Sequence, residues 1–306
     1  MTDTVRVAGG RSVTVESWGD SAGMPIFLLH GTPGSRSGPR PRTSFLYRLG
    51  VRLISYDRPG YGQSSRHPGR AVKEAAADIR AIADYLEIEE FGVVGRSGGG
   101  PHALACAALL GGRVRSTAVL VGLAPSDAKD LNWFAGMADS NIQEYSAAGT
   151  DQAAVEARLA RYAARIRDDP ESLLQTLLPE LTRPDRRVVH DVAIRKLLAE
   201  AYAEGLRDSA DGWIDDVLAF RRPWGFDPSV ISSPLLLWHG EEDVFSPVEH
   251  TYWLARQIPH AAVDVQPGFA HFGAVEILPS VLAWIKEAAR SEGLRVEEMQ
   301  QALLST

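Results

Sequence analysis

"VVGRSGGGPHALA", residues 93–105, sets five glycine and serine residues between the apolar pair Val93-Val94 and the helix-forming run Ala103-Leu104-Ala105. "FGVV" (91–94) reads as a strand and "PHALACAALL" (101–110) as a helix. Pro101 suits the first turn of a helix, where no N–H is needed. The conformational freedom therefore falls at a tight strand-to-helix turn. Gly95-Arg96-Ser97-Gly98-Gly99 spells G-x-S-x-G across it. Alone, the five residues also fit a glycine loop holding a phosphate at a helix N-terminus. The rest of the chain has to discriminate.

Other short apolar runs recur along the sequence. "TVRVA" (4–8) and "SVTVESWG" (12–19) flank "GGR" and predict a hairpin. "PIFLLHG" (25–31), "VRLISYD" (51–57), "STAVLVG" (116–122), "PLLLWHG" (234–240) and "AAVDVQPG" (261–268) read as further strands. Helix-like segments at 71–87, 98–111, 248–258 and 277–290 lie between and after them. This alternation predicts a mostly parallel sheet covered on both faces. Between Val121 and Leu235 the rhythm stops, and Ala, Leu, Glu, Asp and Arg recur at helical spacing. So long a structureless insertion is improbable, so the expectation is an all-helical insertion over 126–228 on a core of 1–125 and 229–306. Residues 291–306 read as a final helix or a frayed tail.

The 306 residues are 45% hydrophobic and 23% charged, enough ordinary globular chain for a large core. A net charge of -7 and scattered arginines, with "RPDRR" (183–187) the densest cluster, argue against a nucleic-acid partner. The single cysteine, Cys106, excludes an intrachain disulfide and reads as a small buried hydrophobe. The N-terminus has no apolar secretory core, and no apolar run nears the ~18 residues of a membrane span. The expectation is a cytoplasmic protein without a membrane partner. Ligand-spaced His, Cys or Asp clusters and nucleotide-binding glycine motifs are missing from the sequence, so the reading needs no cofactor and no metal.

With these landmarks the sequence resembles the α/β-hydrolase fold family over nearly its whole length. "HGTPGS" (30–35) stands where the family keeps its oxyanion loop. "YDRPGYGQS" (56–64) looks like its D-x-x-G-x-G-x-S turn, and "HGEEDVFSP" (239–247) like its G-x-x-D-x-x-x-P. "PGFAHFG" (267–273) places a histidine just beyond the last strand. The resemblance implies an α/β fold with a mostly parallel eight-stranded sheet, and a helical lid after the sixth strand. It implies Ser97 as nucleophile on the strained elbow, His271 as base and Asp243 as the acid behind it, in the family's chain order. It also implies an oxyanion hole from the N–H groups of Gly98 and Thr32.

Competing residues are read as follows. Asp127, after the sixth strand, is the fallback acid, and Glu241 and Glu242 neighbour Asp243 without the right spacing to Pro247. His30 and His239 end buried strands and read as structural, while His102 on the elbow helix, about 140° round from Ser97, is set behind His271 both as base and as pocket wall. Asp57 is expected to stabilise its own turn. Trp133, Trp213 and Trp224 of the insertion, with Phe272, are candidate walls of an apolar pocket. Asp208, Asp211, Asp215 and Asp216 read as solvated helix faces and caps, or as an acidic patch for a substrate ammonium.

The leading expectation is a serine hydrolase of a small or medium, largely apolar carboxylic ester, thioester or lactone. Alternatives are a proline-iminopeptidase-like aminopeptidase, a carbon–carbon bond hydrolase, and a small-molecule receptor on the same scaffold.

Overall fold

Because the inner strands are covered on both faces, their apolar runs are continuous rather than alternating. In the computed structural model, which describes residues 2–290, these runs form one eight-stranded sheet. The segment 291–306, read above as a helix or tail, lies outside the described residues. The strands are β1 (Thr2–Arg6), β2 (Ser12–Gly19), β3 (Met24–Leu29), β4 (Val51–Tyr56), β5 (Phe91–Arg96), β6 (Val114–Leu120), β7 (Leu235–Gly240) and β8 (Ala262–Gln266). Their order is β1-β2-β4-β3-β5-β6-β7-β8. The β1–β2 and β2–β4 pairs are antiparallel and the others parallel. The strand β1 sits earlier than the sequence pattern suggests. A 3-10 turn at Ala8–Gly10, with Gly9 at φ 75° and Gly10 at φ 73°, takes up the end of the predicted run.

Successive side chains of a strand go to opposite faces. Phe27 and Leu29 of β3, with Leu235 and Leu237 of β7, join one core, where α2 (Glu74–Tyr85), α3 (Gly99–Leu109) and α10 (Glu249–Gln257) pack. Ile26 and Leu28, with Leu236 and Trp238, join the other, under α1 (Thr43–Leu49) and α12 (Leu278–Arg290). The short α11 (Gly273–Glu276) precedes α12. Helix α3 is buried from Gly99 to Ala107, Cys106 included. A Cβ on Gly99 would run into the Leu29 carbonyl oxygen and come within 2.8 Å of that of His30. Its glycines and alanines therefore let the helix lie directly against the sheet.

Between β6 and β7 come α4 (Asp139–Ala148), α5 (Gln152–Asp168), α6 (Ser172–Leu177), α7 (Arg183–His190), α8 (Val192–Gly205) and α9 (Asp211–Phe220). Aspartates cap two of them: Asp151 accepts the Ala154 N–H at 3.0 Å, and Asp191 accepts those of Ala193 and Ile194 at 2.8 and 3.0 Å. Among the described residues no helix is long and apolar enough to cross a membrane.

Strand β3 has β4 on one side and β5 on the other, so the chain changes direction across the sheet there. Ligands of open parallel sheets bind at such a switch point, beyond the carboxyl ends of the strands. The loop after β3 and the turn after β5 both open there.

Gly99→Ala should lower stability by about 1–3 kcal/mol, because the added methyl meets strand backbone that has nowhere to move. Gly112→Ala, with nothing within 4 Å, is the control and should stay within about 0.5 kcal/mol. Urea midpoints of both variants would check this; equal midpoints would overturn it.

Candidate active site

The turn after β5 holds Ser97 at φ 53°, in the left-handed region. For a residue with a Cβ this costs on the order of 1–3 kcal/mol. The Ser97 N–H donates to the Leu120 carbonyl and the Ser97 carbonyl accepts the Gly100 N–H, both at 2.8 Å. A Cβ on Gly95 would fall 2.6 Å from the Gly99 carbonyl carbon and 2.7 Å from the Ala103 Cβ. One on Gly98 would fall 2.7 Å from the Thr32 Cβ. The glycines of the opening motif thus let the turn close on α3 and on the loop after β3. Among the described residues, neither the Gly98 nor the Thr32 backbone N–H has a hydrogen-bond partner.

His271 follows β8, and its Nδ1 lies 2.8 Å from Asp243 Oδ2. Asp243 Oδ1 accepts the Phe245 and Ser246 N–H groups at 2.8 and 3.0 Å. Burial works against ionising Asp243. The neighbouring His271 and hydrogen bonds from His239 and His271 nevertheless hold its carboxyl well below the usual range. An ionised carboxylate only accepts, so Nδ1 carries the imidazole proton and Nε2 is the basic nitrogen. Burial also opposes protonation of His271, but the Asp243 charge and hydrogen bond outweigh it and raise the imidazole above its ordinary value.

The other acids lie elsewhere. Asp127, Glu241 and Glu242 are exposed, and none pairs with His271. His239 is buried as expected, with Nδ1 on Thr251 Oγ1 at 2.8 Å and Nε2 on the Ser246 carbonyl at 2.6 Å. Its Nε2 is also 3.3 Å from Asp243 Oδ2, a contact that "HGEED" does not reveal. His30 is a satisfied structural ring between the Gly31 carbonyl and the Arg58 N–H. The Asp57 carboxylate goes to another loop rather than to its own turn: it accepts the Arg36 backbone N–H at 2.7 Å and binds its guanidinium.

The aspartates of α9 are not an open acidic patch. Arg66 binds Asp211 at 2.9 Å and grips both oxygens of Asp215 at 3.0 Å. Asp216 is fully buried. Its carboxylate takes Thr32 Oγ1 at 2.7 Å, Tyr61 OH at 2.8 Å, Arg58 at 2.6 Å and Arg70 at 2.7 Å. His102 lies 3.3 Å away, and burial pulls its pKa down to about 4, so it is neutral there. The solvated-face reading holds for exposed Asp208 and fails for Asp215 and Asp216.

Ser97 and His271 line one cavity, together with Thr32 from the loop after β3. Among the described residues no hydrogen bond joins Ser97 to the imidazole; the two meet as walls of that cavity. Of the aromatics named in the sequence, Trp213 and Phe272 line it. Trp133 and Trp224 do not. Trp133 is anchored by Nε1 on the Ala124 carbonyl and packs on Tyr145, while Trp224 stacks on Phe226. His102 is buried outside it as well. The apolar wall is instead shared between other aromatics, such as Tyr145 and Phe245, and leucines, with Leu173 and Leu177 of α6 and Leu198 of α8. Periodicity marks such leucines as inward-facing but does not say which of them meet a cavity.

Three charged wall residues went unmarked in the sequence reading, Arg96, Glu144 and Arg158. Glu144 accepts the Trp213 indole N–H at 3.0 Å, and burial pushes its carboxyl up to about 7. Behind His271, Asp185 of α7 accepts the Phe272 N–H at 2.7 Å, and burial raises it to about 6.

The family model described as "alpha/beta hydrolase fold" matches residues 24–276. A non-heme haloperoxidase of Rhodococcus erythropolis is 25% identical over 272 residues, covering 87% of this chain and 92% of the relative. A 2-hydroxymuconate semialdehyde hydrolase of Pseudomonas putida is 28% identical over 273 residues, covering 88% of each. A thermophilic esterase of Thermogutta terrifontis superposes with a TM-score of 0.67 at 20% identity, over 94% of this chain and 99% of that one. The chain therefore belongs to the α/β-hydrolase fold family and is an enzyme of the hydrolase class.

Proposed function

We propose that this enzyme is a serine hydrolase that cleaves a small or medium carboxylic ester, thioester or lactone through an acyl-enzyme. The observation that carries the reading is the convergence on one cavity of a strained serine, Thr32 with its backbone N–H unpaired among the described residues, and a histidine backed by a buried carboxylate, with the Gly98 N–H next to the serine in the chain. Ser97 Oγ attacks the scissile carbonyl while His271 Nε2 takes its proton. Asp243 keeps the proton of the other ring nitrogen on Nδ1 and stabilises the imidazolium. The Gly98 and Thr32 N–H groups receive the developing oxyanion. His271 then protonates the leaving group, and water, activated the same way, releases the acid. Nucleophile–base hydrogen bonds are often long before substrate arrives, which fits the open arrangement of Ser97 and His271. In this reading α4–α9 act as a lid that supplies the acyl or alcohol pocket, with the domain division expected above.

The aminopeptidase alternative loses its motivation, since Asp211, Asp215 and Asp216 are held by arginines and line no part of the cavity. Carbon–carbon hydrolysis stays as the second reading, favoured by the similarity to the Pseudomonas putida hydrolase. A panel of p-nitrophenyl esters of graded length beside a vinylogous 1,5-diketone separates the two.

Ser97→Ala should lower kcat at least about a thousandfold while the circular dichroism spectrum stays unchanged. A fluorophosphonate should label the wild-type peptide containing Ser97 and leave the variant unlabelled. A folded variant with a tenth of wild-type kcat would remove Ser97 from the mechanism.

The base must be neutral to act, so kcat/KM should rise with pH through the His271 pKa. The acid limb should fall above the usual 6.5, because the Asp243 charge holds the proton on the ring. Glu144, near 7, titrates in the same window. The limb should therefore persist in Glu144→Gln and move to lower pH in the residual activity of Asp243→Asn. A wild-type limb below 6.5, or a flat profile from about pH 5 to 9, contradicts a histidine base paired with Asp243.

A further inference from the structure

The polar group on the cavity wall that the proposed mechanism leaves unused is Arg96, the chain neighbour of Ser97 at the end of β5. It lines the main cavity and also a smaller one beneath the loop after β3, near Ser35 and Gly38. Among the described residues it forms no ion pair, and its buried Nη1 has no hydrogen-bond partner. Arg221 and Arg40 also lack an ion pair among the described residues, but they lie over the rings of Trp133, Phe134 and Trp18 and line no part of the cavity, and other interior arginines are paired. Arg58 and Arg70 share Asp216, Arg36 binds Asp57 and Glu204, and Arg66 binds Asp211 and Asp215.

Of the other charged groups of the cavity wall, Glu144 and His271 have partners in Trp213 and Asp243, and Arg158, without an ion pair among the described residues, bonds the neutral amide of Gln143 at 2.7 Å. Tyr202 of α8, which also lines the cavity, has its hydroxyl pushed by burial up to about 12 and gives Arg96 no countercharge. Burial disfavours the Arg96 cation, yet a guanidinium does not give up its proton in a protein. A buried charge left unpaired is costly, and here it stands beside the nucleophile rather than in a structural network.

We propose that Arg96 is the anion subsite of the substrate cavity, and that the natural substrate is an ester or lactone bearing a carboxylate near the bond that is cleaved. One unpaired guanidinium balances one negative charge, and its planar fork fits a carboxylate in two parallel hydrogen bonds. The neutral Tyr202 hydroxyl, on the same cavity wall, is a further donor. The inference deepens the hydrolase reading and rests on it for the cleavage step, though not for the binding of the anion.

The test has a kinetic arm and a binding arm. In the first, kcat/KM is measured for p-nitrophenyl hemiesters of succinate and glutarate against the butyrate and valerate esters, and for 4-acetoxybenzoate against 4-acetoxybenzamide. The wild type should prefer the anion on the acyl or the alcohol side, and Arg96→Met should reduce that preference about 10- to 100-fold. Arg96→Lys should restore part of it. No anion preference on either side, or an equal loss on charged and neutral esters in Arg96→Met, overturns the proposal. In the second arm, succinate and inorganic phosphate are titrated into Ser97→Ala protein by calorimetry, with and without Arg96→Met. Succinate should bind more tightly than phosphate, and only when Arg96 is present. Binding that ignores Arg96, or a preference for phosphate, overturns the carboxylate subsite. The melting temperature reads the structural alternative: removing an unpaired buried charge should leave Arg96→Met at least as stable as the wild type. A lower melting temperature would make Arg96 a packing residue. Absence of all ester hydrolysis in the wild type would count against the hydrolase reading alone, since the binding arm uses a protein without Ser97.

Discussion

The Asp216 carboxylate is the point at which the separately built parts of this enzyme are joined. It sits on α9 and is fully buried. From there it holds Thr32 of the loop after β3, Arg58 and Tyr61 of the turn after β4, Arg70 before α2 and His102 of α3. Burial opposes its charge, but the two arginines keep it ionised far below the usual carboxylate range. A network of this kind is not strong evidence for added stability, since desolvating three ions offsets much of their attraction. Its consequence is geometric. Deleting the carboxylate would strand two buried guanidinium groups, so every element that touches it has one acceptable position. Thr32 is among them, and it lines the same cavity as Ser97.

A second carboxylate, Asp243, orders the opposite side of the site. Its oxygens are fully used by two backbone N–H groups and two imidazoles. Asp216 and Asp243 are thus buried carboxylates stabilised as anions. Glu144 and Asp185 are the contrast: burial outweighs the attraction of Arg158 and His271, neither of which forms an ion pair with them among the described residues, so their protons bind more tightly, up to about 7 and about 6. The balance between desolvation and a charged partner, rather than residue type, decides which acid is charged near neutral pH.

These features were unequally legible in the residues. The elbow could be read because it is local: the strand, the glycines and the helix start all fall within 93–105. The aspartates of α9 were misread because their partners lie far off in the chain. Asp216 is 158 positions from Arg58, and Asp215 is 149 from Arg66. Trp133 and Trp224 were expected in the pocket because large aromatics of a helical insertion must be buried somewhere. Burial against Tyr145 or Phe226 satisfies that requirement as well as burial against a substrate. Asp57 was read within its own turn, and its grip on Arg36 across the loop after β3 was out of view.

By itself, the sequence determined the order of the eight strands along the chain, helices α2, α3, α10 and α12, the helical character of the stretch between β6 and β7, and the type of each residue at the ends of β3, β5, β7 and β8, but not the short α1 and α11. Those features follow from short-range causes: periodicity, turn chemistry, and the small residues a close backbone contact demands. Only the tertiary structure decided that Asp243 rather than Asp127 meets His271, that Trp213 but not Trp133 or Trp224 lines the cavity, and that Arg96 has no counter-ion among the described residues. Charge pairing and desolvation act through space between segments that only the folded sheet brings together. A buried aspartate with two arginines and a solvated one are the same letter until the chain has folded.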